Sequence, residues 1–115
     1  MNKIDLEPER QIAILMRASE LVLECPGNGL CWTIKYAIRE KEPGLYLYEN
    51  GRPGITKECI PLFTRENAVK YANGIARVNI IERYTPFWWP SHDTNSRLNF
   101  LSWMIGELQK EVKHG

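Results

Sequence analysis

The segment TNSRLNFLSWMIGELQKEVK, residues 94–113, predicts a long amphipathic helix. Apolar residues that recur at steps of three and four fall on one face of a helix. Here that stripe consists of Leu98, Leu101, Ile105, Leu108 and Val112. Asp93 or Thr94 can cap the helix, while Lys110 and Lys113 interact favourably with its C-terminal dipole. We therefore expect one side of this helix to pack against the rest of the chain.

Two more helices are predicted near the start of the chain. Pro8 begins the first, because proline costs no hydrogen bond in the first helical turn. Its apolar stripe consists of Ile12, Ile14, Leu15, Ala18, Leu21, Val22 and Cys25. The turn Pro-Gly-Asn-Gly at 26–29 ends it. Residues 30–39 resume the helical pattern with apolar or aromatic side chains on almost every face, including Trp32 and Tyr36, so we expect this second helix to be central.

The middle of the chain is less regular. Residues 45–48, Leu-Tyr-Leu-Tyr, favour a strand, an Asn-Gly pair favours a tight turn, and residues 55–60 are the candidate returning strand. A short β-hairpin is one interpretation of this region and an extended loop is the other. Thr64 can cap a helix over residues 65–72. Residues 75–83 fit a strand and a helix about equally well.

Together these patterns predict a mainly α fold. We expect residues 1–115 to form a single small domain of about four helices. A short β-hairpin is the element that the sequence leaves open. The composition, with 43% hydrophobic and 25% charged residues, is typical of a folded domain rather than a disordered chain.

Charge and hydropathy narrow the function classes. The formal net charge is +1 and no run of Lys and Arg occurs, so charge gives no support to broad nucleic-acid binding. No apolar stretch approaches the ~20 residues that span a bilayer. The acidic N-terminus lacks a signal peptide's apolar segment. We expect a cytoplasmic protein without membrane association, in which three cysteines, an odd number, are unbridged buried thiols.

Two catalytic or metal-binding interpretations are weak. Four zinc ligands could come from Cys25, Cys31, Cys59 and His92. However, the sequence has no closely spaced ligand pair of the kind that usually indicates a zinc site. The run Ser91-His92-Asp93 contains the residue types of a catalytic triad. Adjacent residues on one turn, however, cannot point their side chains at one another as proton transfer requires. We predict no catalytic residues, no metal and no cofactor, and we favour a binding protein over an enzyme.

The strongest candidate site is the aromatic run Phe-Trp-Trp-Pro at residues 87–90. Its indoles offer stacking surfaces, and arginine binds phosphate through a rigid fork. The candidate ligand- or partner-binding residues are Arg83, Tyr84, Trp88, Trp89, His92 and Arg97. In the alternative, Phe87, one of these tryptophans and Trp103 close the core beneath the last helix. The alternative is slightly favoured, because buried aromatic residues dominate small cores.

Three segments carry a resemblance in layout over the last two thirds of the chain. They are Gly29-Leu30-Cys31-Trp32, Pro61–Ala68, and Trp88-Trp89-Pro90 continuing through Arg97, Phe100, Leu101 and Trp103. This layout resembles small accessory proteins of tailed bacteriophages and prophages. The resemblance implies a protein of the host cytoplasm that interferes with a host process, for example an anti-defence protein, usually as a homo-oligomer. It assigns no role to any residue.

The function that the sequence favours is non-enzymatic binding. The expected partner is a host protein or a small nucleotide-like ligand, and a homo-oligomer is also compatible. A nucleic-acid-binding regulator using Arg97, Lys110 and Lys113 of the last helix is the first alternative. A small metal-dependent hydrolase or nuclease built on His92 is the third hypothesis.

Overall fold

The computed structural model describes residues 6–45, 59–64, 66–68 and 94–114. Three long helices lie in these ranges: α1 (Pro8–Glu24), α2 (Leu30–Lys41) and α3 (Thr94–His114). Residues 43–45 and 66–68 are also helical. The predicted mainly helical fold is confirmed.

Helix α1 begins as its sequence predicts. Pro8 occupies the first turn, and the carbonyl of Glu7 accepts the backbone N–H groups of Arg10 and Gln11 at 3.0 and 3.1 Å. Gln11 donates through Nε2 to the carbonyl of Leu6 at 2.8 Å. This bond holds Leu6, which lies before the helix and is buried, against the core. The buried face consists of Gln11, Ile14, Leu15, Ala18 and Val22. Cys25, which we expected to continue this face, is exposed, because the helix ends at Glu24.

Helix α1, and not α2, is the central element among the described residues. It packs against both α2 and α3. Helix α2 buries one face only, formed by Leu30, Thr33, Ile34, Ala37 and Ile38. Trp32 and Tyr36 lie on the opposite side, with 55% and 39% of their surfaces exposed. The predicted central position of α2 is therefore wrong, because its apolar pattern included two aromatic residues that face outward.

Helix α3 packs against α1 and supplies Phe100, the largest fully buried side chain among the described residues. Its buried residues are Arg97, Phe100, Leu101, Met104 and Leu108. The ring of Phe100 stacks on Trp103 with centroids 6.0 Å apart, and it lies 6.2 Å from the ring of Phe63. Val112 is 40% exposed, so the predicted stripe leaves the core near the end of the helix.

The short described segment between α2 and α3 also contributes to the core. Cys59, Ile60, Phe63 and Ala68 are all buried. The predicted cap is confirmed, because the Thr64 hydroxyl accepts the backbone N–H of Asn67 at 3.1 Å.

Of the predicted hairpin, only the two ends, Leu45 and residues 59–60, lie among the described residues. Leu45 and Cys59 both have helical backbone, so neither belongs to a strand. The other hairpin residues, 46–58, and the ambiguous segment 75–83 lie outside the described residues.

Replacing Phe100 by Ala should severely destabilise the fold. The ring is fully buried between α1 and the segment that contains Phe63, so its removal loses apolar burial and leaves a cavity. We expect the free energy of unfolding to fall by about 3–5 kcal/mol in urea denaturation. Val112→Ala on the same helix is the matched control and should change it by less than about 0.5 kcal/mol. Similar losses for both variants would contradict this packing.

Candidate functional site

Most of the candidate site residues from the sequence lie outside the described part of the chain. These residues are Arg83, Tyr84, Trp88, Trp89 and His92. Their roles stay predictions. Arg97 is the member of the set that the structure describes, and it differs from our expectation.

Arg97 is buried, with 2% of its surface exposed, and bonds to the chain's own backbone. Its Nη1 donates to the carbonyl of Asn28 at 2.6 Å, and its Nη2 donates to the carbonyl of Pro26 at 2.9 Å. A third bond joins Nη2 to the hydroxyl of Thr94 at 3.3 Å, while Nε has no hydrogen-bond partner. The guanidinium therefore fastens the start of α3 to the loop between α1 and α2.

The sequence contained a signal for this inward position. Arg97 precedes Leu101 by four residues and Met104 by seven, which puts it on the same helical face as these core residues. We interpreted the residue by its type, because arginine is rarely fully buried unless paired. Here two backbone carbonyls are its acceptors, and backbone acceptors cannot be recognised from residue identity.

Arg97→Met should destabilise the protein. Methionine keeps an apolar stem but removes charge-assisted hydrogen bonds to two carbonyls, and such bonds contribute roughly 1.5–3 kcal/mol each. We expect a loss of about 2 kcal/mol or more in the free energy of unfolding, measured by urea denaturation. Arg97→Lys keeps the charge without the rigid fork and should give an intermediate loss. An unchanged thermal midpoint in both variants would show instead that Arg97 is a surface contact residue.

The described surface has one aromatic and cationic face, on the outer side of α2. Trp32, Lys35, Tyr36 and Arg39 recur at steps of three and four, opposite the buried side of the helix; we call this set the α2 aromatic face. The rings of Trp32 and Tyr36 lie 6.2 Å apart at an angle of 36°. The ammonium of Lys35 lies over the Trp32 ring, 4.5 Å from its centroid. This cation–π contact orders both side chains on the helix surface.

A groove adjoins this face on the side of α1. Its volume is about 520 Å³, and we call it the α1–α2 groove. The lining residues are Leu21, Cys25, Asn28, Thr33, Tyr36, Arg39 and Glu40. Tyr36 and Arg39 belong to both features, so the groove and the aromatic face form one continuous surface.

Arg17 of α1 binds three carboxylates, one of which, Glu40, lines this groove. Its Nε donates to Glu40 of α2 at 2.8 Å, and its Nη1 donates to Glu24 and Glu20 at 2.8 and 3.1 Å. The carboxylates of Glu40, Glu24 and Glu20, in that order of effect, raise the pKa of the Arg17 guanidinium above its ordinary value. Arg17 therefore stays charged, and because it is one cation bound to three carboxylates, this cluster keeps an excess of negative charge.

Arg10 of α1 binds an acid just beyond the end of α2 in the same way. Its guanidinium makes a two-pronged ion pair with Glu42, in which Nε donates at 2.9 Å and Nη2 makes the second bond. Glu42 is the main cause of the raised pKa of Arg10. Both acids in this part of the chain, Glu40 and Glu42, thus bind arginines of α1.

The cysteines do not form a metal centre in the part of the chain that the structure describes. All three cysteines are described and none is in a disulfide. The expectation of buried thiols holds for Cys59 but is wrong for Cys25, which is exposed, and for Cys31, which is half-buried. Within the described ranges no three His, Cys, Asp or Glu side chains lie close enough to hold a metal ion. None of the helices described combines the length and apolar character needed to cross a bilayer.

Comparison with known proteins gives no further identification. No protein-family model, no curated protein and no solved structure matches the chain. The functional argument therefore depends on the residues of the α2 aromatic face and the α1–α2 groove.

The α2 aromatic face was not predicted as a site, although its spacing was visible. We noted Trp32 and Tyr36 four residues apart and expected them inside a central helix. Lys35 and Arg39 share their side of the helix, while Leu30, Ile34, Ala37 and Ile38 fall opposite. Cations interleaved with aromatic residues on one face indicate an outer surface.

Cys25 should be the most reactive of the three thiols. It is exposed beside the groove, whereas Cys59 is fully buried and can react only when the structure opens. In a time course of maleimide labelling under native conditions, followed by peptide mass spectrometry, we expect modification of Cys25 first and Cys59 last. Denaturant should abolish the difference. Equal labelling rates in native protein would contradict the described packing.

Proposed function

We propose that this protein is a non-enzymatic binding protein whose contact surface includes the α2 aromatic face and the α1–α2 groove. The observation that carries the proposal is the exposure of Trp32, 55% accessible beside Tyr36 and Lys35 on a well-formed helix. Single exposed hydrophobic residues are common on proteins, whereas neighbouring exposed apolar residues that form a patch favour an interaction site.

The residue types support protein recognition. Tryptophan, tyrosine and arginine are the residues most often found where a few side chains supply most of the binding free energy. Both rings lie on a helix that is anchored to α1, so little conformational entropy is lost when a partner orders them. The adjoining groove supplies a concave surface, and Tyr36 forms part of its wall.

The proposal also includes the kind of partner that the protein binds. The resemblance to phage and prophage accessory proteins favours a host protein in the host cytoplasm as the target, with a small nucleotide-like ligand as the other candidate. Trp88, Trp89 and the neighbouring candidates, which lie outside the described residues, stay candidate contact residues in this proposal. A homo-oligomer is compatible with it.

The nucleic-acid alternative on the last helix has less support. Of its three proposed cations, Arg97 is buried and bonded to backbone carbonyls. Lys110 donates to Glu107 at 3.2 Å on the helix surface. Phosphate binding depends on several accessible cations. We therefore favour the α2 aromatic face over α3 as the contact surface of the protein.

Trp32→Ala should weaken partner binding without destabilising the fold. Removing a hot-spot ring typically costs 2 kcal/mol or more, which is at least about a thirtyfold loss of affinity. The free energy of unfolding should change by less than about 0.5 kcal/mol, because most of the ring is exposed. The measurement is affinity purification of tagged protein from its natural cells, with quantitative mass spectrometry.

The matched control is Leu23→Ala, since Leu23 is a large exposed residue, 66% accessible, on α1. A genuine partner should be retained by this variant and depleted with Trp32→Ala. If wild type and both variants capture the same proteins in equal amounts, the proposed contact surface is wrong.

A further inference from the structure

We propose that two copies of this chain bind one another through the outer side of α1, with the two α1 helices antiparallel about a two-fold axis near Met16. The proposal goes beyond partner recognition, because it concerns a second surface. That surface is a groove of about 440 Å³, which we call the Met16 groove. Its lining residues are Ala13, Met16, Arg17, Ser19, Glu20 and Lys41, and none of them lines the α1–α2 groove.

Met16 is the large apolar residue of this groove. It is 58% accessible, and Ala13, about one turn earlier on the same side of α1, is exposed as well. The small side chain of alanine lets a second helix approach closely, and the flexible methionine adapts its shape to an irregular surface. A two-fold axis uses the same patch of both copies, so each residue contributes to the contact twice.

The C-terminal side of Met16 carries surplus negative charge. Glu20 and Glu24, four and eight residues later, both bind Arg17, at 3.1 and 2.8 Å. Glu40 of α2 binds the same guanidinium at 2.8 Å. All three acids are exposed. Three carboxylates and one guanidinium leave two negative charges without a counter-charge inside this cluster.

Lys41 places a cation nearer the N-terminus of α1. The residue before it, Glu40, binds Arg17. The residue after it, Glu42, binds Arg10, which lies seven residues earlier on α1. Lys41 therefore lies beside the part of α1 between these two arginines. It is exposed and takes part in none of the ion pairs of the described residues.

This order of charges fits a second copy in the antiparallel direction. When one α1 is reversed about Met16, Lys41 of each copy meets the acid cluster of the other. Glu20 is the acid of that cluster that lines the Met16 groove, so it is the expected acceptor. Parallel α1 helices would instead place cation beside cation and acid beside acid, which selects against that arrangement. A different protein would need the complementary pattern, whereas this chain already carries both halves of it.

The dimer that this surface supports is a weak one. Met16 and Ala13 of two copies form a small apolar centre, and small interfaces belong to transient complexes. The surrounding charges are exposed, so salt screens their attraction and should weaken the dimer. The α2 aromatic face shares no residue with the Met16 groove, so partner binding and self-association can be measured separately.

The first experiment is sedimentation velocity of the full chain at about 10 to 500 μM, a range in which weak interfaces become populated. We expect the wild type to change from monomer to dimer as its concentration rises. Met16→Asp places a charge in the apolar centre and should keep the chain monomeric. Lys41→Glu replaces attraction by repulsion at both contacts and should raise the dissociation constant about tenfold or more. Lys113→Glu makes the same charge change at an exposed position of α3 and should leave the dimer unchanged.

A mixture of two variants tests the antiparallel arrangement directly. Lys41→Glu and Glu20→Lys each place like charges at both contacts of their own dimer, so each variant alone should be mostly monomeric. In the mixed dimer both contacts pair a lysine with a glutamate, and we expect association close to that of the wild type. Far-UV circular dichroism should show wild-type helix content for every variant, because the substituted side chains are exposed.

Three results would overturn the proposal. The first is a wild type that stays monomeric over the whole concentration range. The second is a dimer that both Met16→Asp and Lys41→Glu leave intact, which would place the contact elsewhere. The third is a mixture of Lys41→Glu and Glu20→Lys that does not associate. None of these results decides the proposed function, which depends on partner capture through Trp32.

Discussion

Helix α1 packs against two neighbours at once, and the positions of the other described elements follow from this. Ile14, Leu15, Ala18 and Val22 are fully buried, and α1 packs against both α2 and α3. Helix α2 also buries one face, which includes Ile34 and Ala37. The opposite face, with Trp32 and Tyr36, is exposed. The spacing of the apolar residues along α2 therefore decides which aromatic rings lie outside the core.

Arg97 connects this packing to the groove. It extends from α3 to the loop between α1 and α2, where the carbonyl of Asn28 accepts its Nη1. Asn28 is also one of the residues that line the α1–α2 groove. A rigid guanidinium with short bonds to two loop carbonyls fixes the end of the groove before any partner arrives. Surfaces that are ordered in advance lose less entropy on binding. The bonds of Arg97 thus order backbone at the groove, and its guanidinium is occupied by the chain's own carbonyls.

The sequence predicted which described residues are helical more accurately than it predicted which side chains face the core. The beginning of α1 at Pro8, the turn after it and the cap at Thr64 follow from local chemistry, and all are found. Local patterns do not reveal which of three amphipathic helices is enclosed by the other two. That information lies in long-range packing, so Trp32 was expected inside and Arg97 was expected outside. Both errors arose where residue type was given more weight than helical position.

The ion pairs between α1 and α2 relate stability to recognition. Exposed pairs contribute little to stability individually, because water and salt screen them. Arg10 and Arg17 of α1 bind Glu42, just beyond the end of α2, and Glu40 of α2. A formal net charge of +1 does not reveal these pairs, because acids and cations are counted together regardless of position. Glu40 also lines the α1–α2 groove beside Tyr36 and Arg39 of the α2 aromatic face, so acids and cations meet on this surface. Net charge therefore argues against a broad nucleic-acid surface but does not describe the charge at any one site.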